Sequence, residues 1–282
     1  MPEGDSIHRA ARALNQALAG RTVTRFQSVF PQLTRVDADA PLRGRTVERV
    51  TSRGKHLLIW FSGDLVLRTH MRMNGSWHIY RPGERWRRPG RDMRIAIGTD
   101  VFEAIAFTVP VAELDTAAAL ERDLADAGPD PLDDAFDATE AASRLRARGD
   151  MEVAEALLDQ RAIAGIGNIY KSEVLFAAGV NPFTRIAELG DAALEKLVAA
   201  AVKFMRANVA LGTSAGTSAG IVTYTGLRRT TGRADPSARL WVYGRGGKPC
   251  RRCGTPIQRA KQGPYARSTY WCETCQGAGP RV

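Results

Sequence analysis

Between Arg21 and Thr108 the chain is cut into seven short runs rich in β-branched and aromatic residues, at 22–29, 46–52, 56–61, 65–69, 76–80, 93–98 and 101–107. Gly, Asp or Pro separates them, so they are predicted to be strands. Strands this short and closely spaced bury their apolar faces by packing sheet on sheet, as a sandwich or barrel. Ahead of them Ile7, Ala10, Ala11, Leu14 and Leu18 recur at helical spacing, with Asp5 at the expected N-cap and Gly20 at the end. The stretch 81–94 holds six arginines and little apolar content, which predicts a mobile basic loop.

Beyond Thr108 the pattern changes. Residues 110–150 carry eleven acids against four arginines, and Gly128-Pro129-Asp130-Pro131 within them predicts an interdomain hinge. Helical patterns follow over 137–148, 151–159, 168–178 and 191–211. The stretch 212–220 contains only Gly, Ala, Ser and Thr, the composition of a linker or surface loop. Three segments result: 1–127, a β-sandwich domain; 128–225, a helical domain; and 226–282, a basic segment with all four cysteines.

Cys250 and Cys253 stand two residues apart, as do Cys272 and Cys275, with eighteen residues between the pairs. That spacing fits a tetrahedral zinc site, with disulfides as the alternative. No apolar run approaches the ~20 residues of a membrane span, and no leader precedes the first helix, so a cytoplasmic, reduced protein is expected. One structural zinc is then favoured, because no cysteine is left for an open coordination position.

The net charge is +10, and residues 226–282 hold twelve Arg or Lys against Asp235 and Glu273. A surplus this localised points to a polyanionic partner, most simply nucleic acid.

The first residues carry the reactive chemistry. With Met1 removed, Pro2 would present a secondary α-amine, which can form a cationic iminium with a sugar C1′ and serve as an electron sink. An α-amino group with a pKa of ~7.7–8.0 is far more often free base at neutral pH than a lysine at ~10.4. Glu3 supplies a carboxylate for proton transfer. Against this stands the plain fact that many chains begin Met-Pro without consequence.

Other motifs are individually ambiguous. Gly165-Ile166-Gly167-Asn168 opens a helix and could cradle a phosphate with its N–H groups and the Asn168 side chain, or be only a tight turn. The loop His70-Met71-Arg72-Met73-Asn74-Gly75 could carry an apolar wedge that fills the gap left by an extruded base, or a buried core methionine. Lys55, in Arg53-Gly54-Lys55-His56, could be a solvated lysine between strands. His8, His56, His70 and His78 lack metal-ligand spacing and are expected to be structural.

Together Pro2-Glu3-Gly4-Asp5, Arg53-Gly54-Lys55-His56, Leu158-Asp159-Gln160, Gly165-Ile166-Gly167-Asn168 and the four-cysteine finger resemble the formamidopyrimidine-DNA glycosylase and endonuclease VIII family over essentially the whole chain. The resemblance implies an N-terminal β-sandwich with an N-terminal helix, then a helix–two-turn–helix domain with a zinc finger. It implies a bifunctional glycosylase and abasic-site lyase of base-excision repair that acts on damaged DNA as a monomer. By resemblance Pro2 is the nucleophile, and Glu3 the acid for base loss and sugar-ring opening. Lys55 contacts phosphate and donates a proton in β-elimination, and Arg267 grips phosphates and promotes δ-elimination. Asn168 binds phosphate, and Met73 is the wedge, between Arg72 and Asn74. The purine-repair branch carries an Arg-x-Phe element after the last strand of its first domain. Here that region reads Glu103-Ala104-Ile105-Ala106-Phe107-Thr108, which favours the endonuclease VIII branch and oxidised pyrimidines.

A non-catalytic binder of abasic DNA, or a zinc-ribbon protein that binds RNA, would share the basic finger but give Pro2-Glu3 no task.

Overall fold

The computed structural model describes residues 2–210, 221–222 and 228–279, so the glycine-rich stretch 212–220 lies outside the described residues. The chain forms two compact units: residues 2–126 with 209–210 and Ile221–Val222, and residues 127–208 with 228–279. No helix among the described residues is long and apolar enough to cross a membrane.

The first unit runs α1 (Gly4–Leu18), β1 (Arg25–Ser28), α2 (Pro31–Asp39), β2 (Val47–Arg53), β3 (His56–Phe61), β4 (Leu65–His70), β5 (Ser76–Tyr80), β6 (Met93–Gly98), β7 (Glu103–Phe107), β8 (Val111–Thr116) and α3 (Ala117–Asp123), with β9 (Ile221–Val222) added later in the chain. One antiparallel sheet has the order β1-β6-β7-β5-β9 and the other β2-β3-β4-β8. The alternation of strand residues fixes which side chains meet. Leu57, Ile59 and Leu67 from one sheet share a buried cluster with Trp77, Ile79, Ile95 and Ile97 from the other, and Ile7, Leu14 and Leu18 of α1 close it. Trp77 is fully buried, and its indole N–H donates to Thr69 Oγ1 at 3.2 Å, a polar tie between the sheets. The expected sandwich and its N-terminal helix are present.

Three strands, 56–61, 76–80 and 93–98, span the expected residues. Elements without a counterpart among the expectations include α2 and β8. α2 buries only Leu33, so it carries almost no periodic signal. β8 alternates acids with Ala112 and Leu114 at the edge of its sheet, where strong β-propensity is not required. The N-cap of α1 is Glu3 rather than Asp5. The reason is Ser6, whose hydroxyl accepts from the Glu3 N–H at 2.9 Å and donates to the Glu3 carbonyl at 2.8 Å. Asp5 lies inside the first turn, where its charge suits the helix dipole, and pairs with Arg9 at 3.5 Å.

The 81–94 stretch is anchored rather than free. Trp86 packs edge-on against Phe107 with ring centroids 5.7 Å apart, and the Arg87 N–H donates to the Tyr80 hydroxyl at 3.1 Å. One tryptophan is enough to cover the outward apolar face made by Tyr80, Met93, Ala96, Ile105 and Phe107.

The second unit contains α4 (Ala138–Arg146), α5 (Val153–Ala156), α6 (Asn168–Ala178), α7 (Asp191–Ala210), the hairpin β10 (Gln258–Gln262) and β11 (Arg267–Trp271), and α8 (Glu273–Gln276). The helix expected over 151–159 shrinks to one turn, because Leu158-Asp159-Gln160 turns the chain back towards α6. α6 is the spine, with buried residues all round it from Asn168 to Phe176. It ends at Gly179, whose φ of 70° is the left-handed conformation that stops a helix with little strain. Gly128 also packs within this unit. A Cβ there would lie 2.7 Å from the Ala162 backbone, so the acidic stretch is not a loose tether at that point.

Candidate functional site

Pro2 and Glu3 are both buried at the start of α1. One turn on, His8 Nδ1 lies 3.2 Å from Ser52 Oγ, which joins this end of α1 to the tip of the β2–β3 hairpin. The hairpin turn consists of Gly54 and Lys55, between the paired residues Arg53 and His56. Gly54 has φ 59°, which a two-residue hairpin requires and glycine adopts freely. Lys55 is half-buried there. The His8–Ser52 contact thus ties the N-terminal part of α1, which Pro2 and Glu3 lead into, to the hairpin that bears Lys55.

The loop between β4 and β5 separates the roles of its two methionines. Met71 is 1% exposed and sits in the core, whereas Met73 is 64% exposed. Arg72 and Asn74 beside it are exposed as well. The tight turn is held from several sides. The Gly75 N–H donates to the Met71 carbonyl at 2.9 Å, and a Cβ on Gly75 would lie 2.5 Å from that oxygen. The Arg72 N–H donates to His70 Nδ1 at 3.1 Å, with Arg72 at φ 44°. Thr108, itself at φ 47°, donates to the Asn74 carbonyl at 2.6 Å and accepts from Arg88 at 3.2 Å. Left-handed backbone at a β-branched residue is strained and persists only where its surroundings impose it. Thr108 and Arg88 lie outside the expected site residues, and nothing local in the sequence links them to a loop that ends thirteen positions before Arg88 and more than thirty before Thr108.

The histidines are structural. His56 and His70 pair across β3 and β4 with rings 5.2 Å apart, and His78 bridges Ser76 and Tyr80 at 3.0 and 2.9 Å. Burial is the main reason that each is lowered to a pKa of about 4, helped at His56 by His70, at His70 by Lys55, and at His78 by Arg88. An unfolded histidine has a pKa of ~6.5, so the unfolded chain gains protons first as pH falls. Stability should therefore be insensitive to these groups above pH ~6.5 and drain away between there and about 4. Unfolding at pH ~5 should take up about two to three protons from them. Denaturant midpoints measured from pH 8 to 4.5 check this.

In the second unit the Leu158-Asp159-Gln160 motif supports the loop that opens α6. Gln160 accepts from the Gly165 N–H at 3.0 Å and donates to the Ile166 carbonyl at 3.1 Å. Gly165 has φ 84°, so a side chain there would be strained. Asn168 follows at the first turn of α6, and its amide donates to the Ser268 carbonyl at 2.9 Å. Lys171, 1% exposed, reaches the same carbonyl at 3.3 Å and Thr269 Oγ1 at 2.7 Å. Arg267 is the adjacent residue, exposed and without a carboxylate in ion-pair reach among the described residues. Asn168 and Arg267 are thus brought together through the backbone of β11. Glu173 is fully buried and accepts from the N–H groups of Trp241, Val242 and Tyr243 at 2.8–2.9 Å, and from the Thr230 hydroxyl. Burial pushes its carboxyl above the usual range, opposed by those four donors. Lys171 and Glu173 are not among the expected residues; their only sequence signal is a charge on a helix with no exposed face.

All four cysteines are free thiols and their sulfurs lie within 4.8 Å of one another. Sγ–Sγ distances of 4.0 Å (Cys250–Cys275), 3.4 Å (Cys253–Cys272) and 3.6 Å (Cys253–Cys275) are far too long for disulfides. Four thiolates around an ion at zinc's ~2.3 Å bond length would form a tetrahedron with edges of ~3.8 Å, so the cluster fits a structural metal site of that size.

The first unit thus carries a buried N-terminal acid and a loop that exposes Met73, and the second a basic four-cysteine finger held against α6. Residues 1–110 match the formamidopyrimidine-DNA glycosylase N-terminal domain, residues 127–219 its H2TH domain, and residues 247–277 the zinc finger found in FPG and IleRS. These matches define the class, a DNA-repair enzyme with glycosylase and abasic-site lyase activity. A probable endonuclease 8 2 of Streptomyces coelicolor is 42% identical over 283 residues, 99% of this chain and 95% of its own length. The DNA-(apurinic or apyrimidinic site) lyase Nei2 of Mycolicibacterium smegmatis is 38% identical over 279 residues, 99% and 100% of the two chains. Among solved structures, Lactococcus lactis Fpg in complex with abasic-site DNA has a TM-score of 0.81 at 25% identity, covering 98% of this chain and 100% of that one. The chain belongs to the formamidopyrimidine-DNA glycosylase/endonuclease VIII family.

Proposed function

We propose that the protein excises oxidised pyrimidines from DNA and nicks the resulting abasic site by β,δ-elimination, using Pro2 as its nucleophile. The Pro2 nitrogen, freed by loss of Met1, forms a bond to C1′ as the base departs with its bonding electrons. Glu3 supplies the proton that opens the sugar ring, leaving an iminium. That cation withdraws electrons from C2′, so loss of a C2′ proton expels the 3′ phosphate, loss of a C4′ proton then expels the 5′ phosphate, and water hydrolyses the iminium to free the Pro2 nitrogen. Lys55 donates a proton and contacts phosphate; Arg267 and Asn168 hold phosphates; Met73, with Arg72 and Asn74, fills the gap left by the extruded nucleoside. Cys250, Cys253, Cys272 and Cys275 hold one structural zinc, and the enzyme works as a monomer on damaged DNA.

The observation that carries this reading is the His8–Ser52 contact at 3.2 Å, which ties the N-terminal part of α1, beside Pro2 and Glu3, to the hairpin that bears Lys55. The pyrimidine preference is supported by Arg72, Met73 and Asn74 lying in a single loop and by the link between β7 and β8, Thr108-Val109-Pro110, which has no Arg-x-Phe element. A cleavage panel of duplexes with thymine glycol, dihydrouracil, 8-oxoguanine or an abasic site tests it. Cleavage of the two pyrimidine lesions and the abasic duplex is expected. Cleavage of only the 8-oxoguanine duplex would move the enzyme to the purine branch, and binding without cleavage of any would leave a non-catalytic binder.

A further inference from the structure

Among the described residues three large apolar side chains are exposed, Val29 at 52%, Met73 at 64% and Tyr265 at 82%. Met73 has a task in the reading above. Tyr265 is the most exposed of the three, and the finger holds it out on a fixed turn. Gln262 and Arg267 pair to close the hairpin, leaving Gly263-Pro264-Tyr265-Ala266 as its loop. Both ends of that loop have left-handed backbone, Gly263 at φ 71° and Ala266 at φ 47°, and the Ala266 N–H donates to the Gly263 carbonyl at 2.9 Å. Proline stiffens the loop between them.

The base of the hairpin is clamped to the helical part of the same unit. Gln262 donates to Glu152 at 2.6 Å and to the Pro182 carbonyl at 3.0 Å, and accepts from Thr269 at 2.6 Å. Gly263 passes so near α5 that a Cβ would lie 2.3 Å from the Glu155 carboxylate. A strained turn on a clamped base presents an aromatic ring that packs against no other ring among the described residues. Lys261 and Arg267, both exposed, flank it. Cations that track a phosphate backbone, with an aromatic face between them, are the combination that binds an unpaired or opened nucleic-acid strand.

We infer that Tyr265 is a base-stacking residue, whose ring packs on a nucleobase of the strand that Arg267 holds. The inference rests on the DNA-binding part of the proposed function but not on the chemistry of Pro2. The ring face recognises any base, so the contact adds affinity and sets which flanking nucleotide is held, with little sequence preference.

The test uses full-length, metal-replete protein and duplexes that carry a tetrahydrofuran abasic analogue, with 2-aminopurine placed at successive positions on either side. Wild type should change the fluorescence at one flanking position, and Tyr265→Ala and Tyr265→Leu should abolish that change. Affinity should fall roughly tenfold in both variants, with Tyr265→Trp close to wild type. Because the ring is uncharged, the slope of log affinity against log salt should not move. An unchanged fluorescence profile and affinity in Tyr265→Leu would overturn the inference. So would a loss that comes with a shallower salt slope, which marks a phosphate contact, or with release of the finger metal, which marks a structural role. Borohydride trapping of wild type on a natural abasic duplex, which has the C1′ aldehyde that the tetrahydrofuran analogue lacks, separates the two readings: position-specific stacking without trapping would sink Pro2 and spare Tyr265, and trapping with no stacking signal would do the reverse.

Discussion

Glu3→Gln is expected to slow base excision and cleavage of abasic DNA by about two to four orders of magnitude, the usual contribution of a positioned general acid. The substitution is isosteric and leaves the start of α1 intact. The Glu3 N–H donates to Ser6 Oγ and its side chain accepts from the Ser6 N–H in a capping box, a role that the amide oxygen of glutamine can keep. Single-turnover rates on a lesion duplex and a preformed abasic duplex, with a melting curve beside them, make the measurement. A rate within fivefold of wild type on both substrates would mean that the carboxyl has no part in proton transfer.

Removal of the finger metal is expected to have the second large effect. The apolar cluster beneath the finger holds little more than Phe176, Val242, Ile257, Cys250 and Cys272, two of which belong to the four-cysteine cluster. So small a core cannot fold the segment alone, and structural zinc in such modules contributes about 10–16 kcal/mol near neutral pH. Chelation, or Cys272→Ser, should therefore unfold residues 247–277, freeing Arg267 from the Asn168–Lys171 grip on Ser268. Binding to abasic duplex should be lost, whereas the first unit, which has its own core, should keep its melting transition. Hydrogen exchange resolved by peptide, together with DNA titration, reads both. Metal-free protein that still binds abasic DNA as tightly as the loaded form would show that the finger needs no ion.

The parts of this molecule that were legible in its sequence share one property: a local signal that packing does not override. Four cysteines at ribbon spacing can do few things, and three of the strands expected between turns, 56–61, 76–80 and 93–98, keep their limits. α6 was marked by the glycines before it and by Gly179 after it. What stayed hidden depends on partners distant in sequence. Asp5 resembles an N-cap until Ser6 is seen to serve Glu3 instead. The arginine-rich loop looks mobile until Trp86 finds Phe107. The turn that exposes Met73 is held by Thr108 and Arg88, and the backbone beside Arg267 by Lys171. Each of these residues reads alone as an ordinary surface side chain. Glu173 is the clearest case, because only the three-dimensional path of 241–243 supplies the donors that make a buried carboxylate tolerable.

The most direct test is to trap the enzyme on an abasic duplex with borohydride, digest the adduct and locate the modified residue by mass spectrometry. The expected result is a terminal peptide beginning at Pro2, with Met1 absent and the sugar remnant on the proline nitrogen. An adduct on a lysine, or full activity in protein whose terminus still carries methionine or an acyl group, would contradict it.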